Sequence, residues 1–342
     1  MTQSYKQSYS LAADNNLNGV LLLRNPEKYG NPIKWYSSKI AGVPFILRNL
    51  LTLQKADIKT LVVFMEDPNG DLQKSFEKIL QDRRLAQDII WIGNIMQLKK
   101  WIQNNPNPVY IFNGSVLHDT KKLYQLIRSE AQNGEQSFFP IKPENLEDLL
   151  SNNCIDSINC GSNESMHKGF PVYIPGPKDM EIKKPEDFKI LHEAQMRNSG
   201  LHHDSAITRI LSRPASRVLT RMFLNTPISP NQITLISFFL GLASAFLFSR
   251  GYYESSVIAS VLLVLSTWID GADGEIARLK FMESDIGKKL DLYCDNIIHF
   301  LVFTAIGYGV FLKTSETLFL YLGSLAGLGG LLAFLLLSPI LL

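Results

Sequence analysis

The C-terminal part of the chain contains four long apolar stretches, which constrain the fold more than any other feature of the sequence. They are Ile233–Ser249, Ser255–Ile269, Leu290–Leu312 and Thr317–Leu342. A helix needs about 20 apolar residues to cross a bilayer, so these stretches predict four membrane-spanning helices. The second stretch is short, but Tyr252, Tyr253 and Trp268 lie at its ends, which is typical of residues at a membrane interface.

The first 200 residues have the composition of a soluble protein instead. The content of 19% charged residues therefore averages over two unlike halves. A chain of 342 residues is also too long for one ordinary domain, and we predict two. The net charge of +2 gives no reason to expect binding to nucleic acid.

Four aspartates lie where the second and third apolar stretches meet. Asp270 and Asp273 are three residues apart and Asp291 and Asp295 are four apart, so each pair lies on one face of a helix. Carboxylates at a membrane boundary are costly unless a cation or a reaction needs them there. Two facing helices would direct four carboxylates into one space, which suits hard divalent ions such as Mg²⁺ or Mn²⁺. The alternative, a loop with solvated aspartates, does not require this spacing.

The same segment carries the pattern Asp-x2-Asp-Gly-x2-Ala-Arg-x8-Gly-x3-Asp-x3-Asp. It resembles the signature of the CDP-alcohol phosphotransferase family, also called CDP-alcohol phosphatidyltransferases. Eight fixed positions arise by chance at a given start with odds on the order of 10⁻¹⁰. The matched residues are Asp270, Asp273, Gly274, Ala277, Arg278, Gly287, Asp291 and Asp295.

The resemblance implies an enzyme of the membrane. Members move a phospho-alcohol group from a CDP-alcohol, for example CDP-diacylglycerol, to an acceptor hydroxyl and release CMP. We therefore expect a transferase in the synthesis of phospholipids or of phosphodiesters with polar headgroups. By the same resemblance, Asp270, Asp273, Asp291 and Asp295 would bind two Mg²⁺ or Mn²⁺ ions, and Asp295 would also be the catalytic general base.

The resemblance also implies a binding site for the CDP-alcohol. Its predicted residues are Gly274, Ala277, Arg278, Ser284, Gly287, Asn231 and Thr234. Small side chains let the nucleotide approach closely, and an arginine offers a planar fork of donors to phosphate. Alternatives stay open for three of them, because Ser284, Asn231 and Thr234 are also suited to capping helices. We expect His299 to be a packed, neutral histidine.

Short apolar runs alternate with amphipathic stretches over residues 19–175. The predicted strands are Gly19–Leu23, Thr60–Met65, Asp88–Ile92, Pro108–Phe112 and Phe170–Ile174, and the predicted helices are Phe45–Lys55, Leu72–Gln81, Met96–Gln103 and Lys121–Ala131. This alternation predicts an α/β domain with a mostly parallel sheet, followed by an all-α multi-span membrane domain.

Parts of the first half resemble the sugar-phosphate nucleotidyltransferases. Gly19–Leu23 resembles their first strand, Ala41–Leu47 their first helix entry, and Val109–Ser115 a strand end of their active site. The chain differs from that family in the catalytic positions. Its loop at Arg24–Gly30 contains a proline, which cannot donate an N–H to phosphate, and Ser115 stands where the family has a metal-binding aspartate.

We therefore predict that this domain is degenerate and serves as a scaffold, a docking surface or a regulatory ligand site. The alternative is a bifunctional enzyme whose first domain also makes the CDP-activated donor from CTP. Lys34, Lys39 and Asp119 are either remnants of a site or, as we favour, ordinary surface charges.

The composition changes define the predicted boundaries. They are a nucleotidyltransferase-like domain at residues 1–178, a linker at 179–205, an amphipathic interfacial helix at 206–226 and the membrane domain at 227–342. In the interfacial helix, Arg209, Arg213, Arg217 and Arg221 recur at every fourth residue beside apolar residues, a pattern typical of a helix on an anionic membrane. Pro214 predicts a kink or two shorter helices. The alternative is a soluble helix packed on the first domain.

Basic residues predict the orientation in the membrane. Arg278, Lys280, Lys288 and Lys289 fall on one side with the linker arginines, against Arg250 and Lys313 on the other. The first domain and the active site should therefore face the cytosol of a multi-pass protein of the cell membrane. Members of this family pair as homodimers, and we expect a homodimer here too. They have six spans, whereas this sequence supplies four, so we expect the last two spans of the usual bundle to be absent. A third hypothesis, an ion path through a transport protein, is disfavoured because no matching polar residues lie deeper in the spans.

Overall fold

The computed structural model describes residues 17–26, 30–86, 88–128, 139–141, 146–147, 171–199 and 212–341. The chain forms two compact units, Met1–Glu193 and Ala194–Leu342. Cys154, Cys160, Arg209 and the beginning of the predicted interfacial helix lie outside the described residues.

The first unit is an α/β domain, as predicted. Its strands are β1 (Leu17–Leu22), β2 (Lys39–Ile40), β3 (Val43–Pro44), β4 (Ile58–Phe64), β5 (Ile90–Ile92), β6 (Val109–Asn113), β7 (Phe139–Pro140) and β8 (Val172–Ile174). Its helices are α1 (Pro32–Ser37), α2 (Phe45–Lys55), α3 (Asp71–Leu80), α4 (Ile95–Asn104), α5 (Thr120–Arg128) and α6 (Pro185–Asn198), the last of which contains the division between the units.

A six-stranded sheet organises this unit in the order β5-β4-β1-β6-β8-β7. Its neighbouring strands are parallel except β7, which runs antiparallel to β8. The central strand β1 is buried along its whole length, as expected for a strand covered on both faces. The prediction of a mostly parallel sheet is confirmed.

Residues of β1 alternate between two hydrophobic cores. Leu21 packs with Phe45 and Leu50 of α2, whereas Val20 packs in the core that includes Leu98 of α4. Ile182, Phe188 and Leu191, from the segment predicted as a linker, pack in or against the α2 core. This part of the linker segment thus contributes to the first unit.

The described part of the second unit is helical. It contains α7 (Arg213–Leu224), α8 (Pro230–Phe248), α9 (Tyr253–Lys280), α10 (Asp285–Thr314) and α11 (Thr317–Leu341). Helices α8 to α11 are long and apolar enough to cross a membrane, so the four predicted spans are confirmed by length and composition.

The second apolar stretch, Ser255–Ile269, covers only part of its helix, because α9 continues as one helix of 28 residues through the aspartate motif to Lys280. Pro214 lies in the first turn of α7, where the missing N–H has no intrahelical partner to lose. Residues 206–211, which the prediction of a kink or two shorter helices also covers, lie outside the described residues.

Helix α8 packs against both α9 and α10, and α11 packs against α10. The contact of α10 with α11 depends on glycine: a β-carbon at Gly307 would lie 2.6 Å from the carbonyl oxygen of Phe319 and 2.7 Å from Cα of Gly323. A β-carbon at Gly327 would likewise lie 2.8 Å from Oγ1 of Thr304. Gly323 and Gly327, which form a Gly-x3-Gly pair on α11, thus allow this helix to pack closely on α10.

Candidate active site

Three of the four predicted aspartates come together at the facing ends of α9 and α10. Asp270, Asp291 and Asp295 each offer a ligand atom, and these atoms all lie within 4.8 Å of one another. All three side chains are half-buried. Within the described part of the chain, no group donates a hydrogen bond to the buried Oδ1 of Asp291. A buried carboxylate oxygen without a donor, beside two more carboxylates, fits a hard divalent cation.

The fourth aspartate, Asp273, is held by α8. The hydroxyl of Thr234 donates a hydrogen bond to Oδ2 of Asp273, and both residues are buried. Asp273 is not one of the three residues of the close cluster. The contact fixes the orientation of the carboxylate, because two buried groups have few other hydrogen-bond partners available to them.

Asp270 also faces α8. Oγ of Ser237 lies 3.4 Å from Oδ1 of Asp270, and Oγ of Ser266 donates to the carbonyl oxygen of Ser237 at 2.7 Å. Further along the same two helices, Ser244 donates to the carbonyl oxygen of Ala259 at 2.8 Å. Buried hydroxyls thus connect α8 with α9 beside the aspartates.

The structure distinguishes between the alternatives for the capping residues. Ser284 is the N-cap of α10, where its hydroxyl accepts from the N–H of Gly287 at 3.0 Å. Ser229, which we did not select, caps α8 in a capping box with Gln232. Thr234 binds Asp273 instead of capping, and Asn231 is exposed.

Two predicted glycines occupy tight positions. A β-carbon at Gly287 would lie 2.9 Å from Oδ1 of Asn231, so Asn231 and Gly287 are neighbours although α8 and α10 carry them. A β-carbon at Gly274 would lie 3.3 Å from Nη1 of Arg278. Ala277, beside Arg278, is half-buried.

The guanidinium of Arg278 is anchored to the main chain. Its Nε donates to the carbonyl oxygen of Ser199 at 2.9 Å, and the hydroxyl of Ser199 donates to the carbonyl oxygen of Met196. The turn that ends α6 therefore fixes the orientation of the arginine that we predicted to bind phosphate.

Sequence reasoning missed Glu275, which lies between the fixed positions of the signature. Its side chain is fully buried, forms an ion pair with Arg213 and accepts a hydrogen bond from Oγ1 of Thr220 at 2.7 Å. A buried charge two residues beyond Asp273 is itself a signal, because glutamate is almost never fully buried without a partner.

The prediction for His299 is wrong. It lies on α10 one turn beyond Asp295, but its side chain is exposed in the chain and not packed. Lys280, which we used only to predict the orientation in the membrane, is buried, and its Nζ donates to the carbonyl oxygen of Thr226 at 2.9 Å.

In the first unit, Tyr36 binds the first residue of the segment that stands where nucleotidyltransferases have their phosphate loop. The N–H of Arg24, directly after β1, donates to the hydroxyl of Tyr36 at 2.9 Å, and that hydroxyl donates to the carbonyl oxygen of Arg24 at 2.8 Å. Burial raises the pKa of Tyr36 to about 12, so the hydroxyl keeps its proton. Ser115 donates its N–H to Oδ1 of Asn113 in a local turn after β6.

The three possible remnants of a nucleotidyltransferase site are on the surface. Lys34 and Lys39 are exposed. Asp119 is exposed as well and accepts from the N–H of Lys122 at the start of α5. These contacts agree with the interpretation as ordinary surface charges.

Comparison with known proteins adds to this picture. Residues 227–338 match the family model described as CDP-alcohol phosphatidyltransferase. The chain is 30% identical over 131 residues to "Bifunctional IPC transferase and DIPP synthase" of Aquifex aeolicus, which is 37% of this chain and 29% of that protein. It is 33% identical over 134 residues to the protein of the same name from Archaeoglobus fulgidus, covering 38% of this chain and 26% of that protein.

In a third relative, the alignment covers a larger share of that protein's length. The chain is 26% identical over 120 residues to "Archaetidylinositol phosphate synthase" of Pyrococcus horikoshii, which is 35% of this chain and 62% of that protein. The chain thus spans less than a third of the length of the bifunctional relatives described above. The matched segment contains α8 to α10 and the complete aspartate signature, so the similarity to CDP-alcohol phosphatidyltransferases lies in the helices that carry the candidate site.

Proposed function

We propose that the chain is an integral-membrane transferase that moves a phospho-alcohol group from a CDP-alcohol to an acceptor hydroxyl and releases CMP. Its product would be a phospholipid or a phosphodiester with a polar headgroup. The name of the Pyrococcus relative makes an inositol phosphate the first acceptor to test. The observation that carries the proposal is the cluster of Asp270, Asp291 and Asp295 within a family domain.

The carboxylates would hold the metal. Asp270, Asp291 and Asp295 supply oxygens from one compact group, and Asp273 supplies a further carboxylate beside it. We propose Mg²⁺ or Mn²⁺, two ions in all, because carboxylate oxygens are the ligands that hard cations prefer. When bound, such ions would neutralise the diphosphate of the donor and the departing CMP.

The remaining steps belong to the side chains. Asp295 would take the proton of the acceptor hydroxyl onto a carboxylate oxygen as that hydroxyl attacks phosphorus. Arg278, fixed by Ser199, would orient a phosphate group, and Gly274 leaves room beside that guanidinium. Ser284 and Gly287 at the start of α10 lie beside Asn231 of α8, and these three residues would contact the nucleotide with Thr234 and Ala277.

The location follows from the charges. Arg278, Lys280, Lys288 and Lys289 lie at the end of α9 and the start of α10, and Arg250 and Lys313 lie at the opposite ends of the spans. By the positive-inside rule, we place the aspartates and the first unit on the cytosolic side of the cell membrane. Helix α7 would lie at the same surface.

A second candidate is favoured by the names of the relatives. They are called bifunctional, which would fit a first domain that makes the CDP-activated donor from CTP. Against it, Tyr36 uses both main-chain groups of Arg24, the first residue of the predicted phosphate loop. We therefore propose a degenerate first domain that acts as a scaffold or regulatory module.

The test uses the purified full-length protein in detergent or liposomes. CDP-diacylglycerol or CDP-glycerol is incubated with Mn²⁺ and a panel of hydroxyl acceptors that includes inositol phosphate, and CMP release is measured. We expect release that Asp295→Asn abolishes. Asp285→Asn is the matched control, because its carboxylate is 91% exposed at the start of the same helix. CTP consumption that survives Asp295→Asn would favour the bifunctional candidate, and ion flux into liposomes without CMP release would refute the transferase.

A further inference from the structure

Glu275 attaches α7 to the helix that carries the motif. Its carboxylate contacts α7 at two points, Arg213 and Thr220, which are two turns apart. The arginine side chain is 11% exposed and the glutamate is fully buried, so the pair is shielded from water. Removing one partner of such a pair leaves an uncompensated buried charge, which makes the contact a strong clamp.

The two helices also approach closely beside the aspartates. A β-carbon at Gly271, the residue after Asp270, would lie 3.5 Å from Cβ of Ser216 on α7. Ser216, Thr220 and Leu224 form the buried face of α7. The docking of α7 therefore reaches the first aspartate of the motif and is not confined to Glu275.

The arginines of α7 lie on one flank of this buried face. At about 100° per residue, Arg213, Arg217 and Arg221 advance by about 40° for each step of four residues, away from the buried centre. Arg213 forms the ion pair with Glu275, and Arg221 is exposed. The buried Nε of Arg217 donates to no partner among the described residues, and its side chain is half-buried. Arg217 follows Ser216, the residue of α7 that lies against Gly271, so the docking of α7 on α9 fixes the backbone position from which this side chain extends.

We propose that Glu275 is a positioning residue for the binding of the phosphate-bearing substrate. It holds α7 on α9, and the guanidinium of Arg217, the residue after Ser216, would then contact a phosphate group of the substrate. This inference rests on the proposed transferase function. It separates two tasks: α8 holds the aspartates through Thr234 and Ser237, and Glu275 holds the arginine flank.

The docking itself is testable without any catalysis. In a protein whose cysteines 154, 160 and 294 are replaced by serine, Ser216→Cys and Gly271→Cys place two β-carbons at a separation that suits a disulfide. Oxidation should close this bridge in high yield, measured as loss of reactivity with a maleimide polymer on a denaturing gel. Adding Glu275→Gln should lower the yield several-fold, and Glu254→Gln, an exposed glutamate at the other end of α9, should leave it unchanged.

The kinetic test compares substrate binding with metal binding. Without the engineered cysteines, Glu275→Gln should raise KM for the CDP-alcohol about 10-fold, because a charge-assisted contact is lost. The Mn²⁺ concentration that half-maximally stabilises the protein against heat should not change. Arg217→Gln should raise KM similarly, and its combination with Glu275→Gln should raise KM little further, because both act on one contact.

Two further variants protect the test against misfolding. Thr220→Val removes only the hydrogen bond to Glu275 and should give a smaller rise in KM. Arg213→Gln with Glu275→Gln leaves no unpaired charge and should be less damaging than either single change. An unchanged KM or cross-link in Glu275→Gln would overturn the inference, as would an equal loss of Mn²⁺ affinity. A wild-type protein that cross-links but releases no CMP would refute the proposed function and leave the docking intact.

Discussion

Thr234→Val tests whether α8 orients the carboxylate of Asp273. Valine has nearly the shape of threonine but lacks the hydroxyl, so the change removes one hydrogen bond and leaves the packing in place. The hydroxyl has a single proton and two acceptors within reach, Oδ2 of Asp273 and the carbonyl oxygen of Pro230 at 3.2 Å. The contact with Asp273 is the shorter, and a charged acceptor binds the proton more strongly.

The size of the effect follows from burial. Asp273 is 6% exposed and Thr234 is 3% exposed, so water cannot replace the lost donor without rearrangement. A hydrogen bond to a charged group contributes about 1.5 to 3 kcal/mol. If that free energy holds the carboxylate in its working orientation, kcat/KM should fall by roughly 10-fold to 100-fold. The Mn²⁺ concentration for half-maximal activity should rise at the same time.

The assay is CMP release from the CDP-alcohol, titrated with Mn²⁺. Thr234→Ser keeps the hydroxyl and is the matched control, with activity expected within about threefold of wild type, since only a methyl group is lost. Thermal melting in detergent verifies that both variants fold. The reasoning would be refuted if Thr234→Val kept full activity while Asp273→Asn abolished it, because the donor would then be dispensable to a carboxylate that is not.

Three other predictions concern stability and metal. Gly307→Ala should destabilise the protein by about 1–3 kcal/mol and lower its melting temperature, because the new β-carbon meets Phe319 and Gly323, whereas Gly330→Ala, with no atom within 4 Å, should be neutral. Burial lowers the pKa of His118 to about 4 from 6.5, so the unfolded chain binds a proton before the folded protein does as the pH falls. The free energy of unfolding of the first unit should therefore drop by about 2 kcal/mol between pH 7 and pH 5. In denaturant titrations, His118→Gln should remove this pH dependence. Chelation of divalent ions should abolish CMP release reversibly. It should also lower the melting temperature, because a metal at 100 times its Kd stabilises the folded protein by about 2.7 kcal/mol. Asp291→Asn should lose this shift of the melting temperature in differential scanning fluorimetry.

Local patterns predicted most elements of the first unit, but not α1 or the two-residue strands β2, β3 and β7. The bounds of α2 agree with the prediction at both ends, because its apolar face and the proline before it are local signals. The predicted strands agree with the structure within three residues, since β-branched and apolar runs define them. The contact of Tyr36 with Arg24 was not predictable, because it joins residues from two separate elements.

The signature located the aspartates, but hydropathy did not predict how far the helix of the second span continues. Asp270, Asp273 and Glu275 lower the apolarity of α9 after Ile269, although each residue continues the same helix. Glu275 was overlooked because the signature has no fixed residue there, and its partners come from a helix more than 50 residues earlier. Contacts of this kind depend on tertiary packing, which the spacing of residues does not encode.

The buried hydroxyls beside the motif explain how a membrane domain tolerates so many carboxylates. Thr234, Ser237 and Ser266 form a polar seam between α8 and α9, and two of them contact the aspartates directly. Neutral donors orient a carboxylate without cancelling its charge, unlike an arginine or lysine in the same place. Such donors leave the charge of an ionised cluster uncompensated, and a cation from solution would compensate it. Basic residues lie beside the cluster's helices instead: Arg213 binds Glu275, and Lys280 binds the carbonyl oxygen of Thr226. Arg278 lies against Gly274. Hydroxyls that contact the carboxylates, with guanidinium groups beside them, suit the proposed site for a metal and a diphosphate.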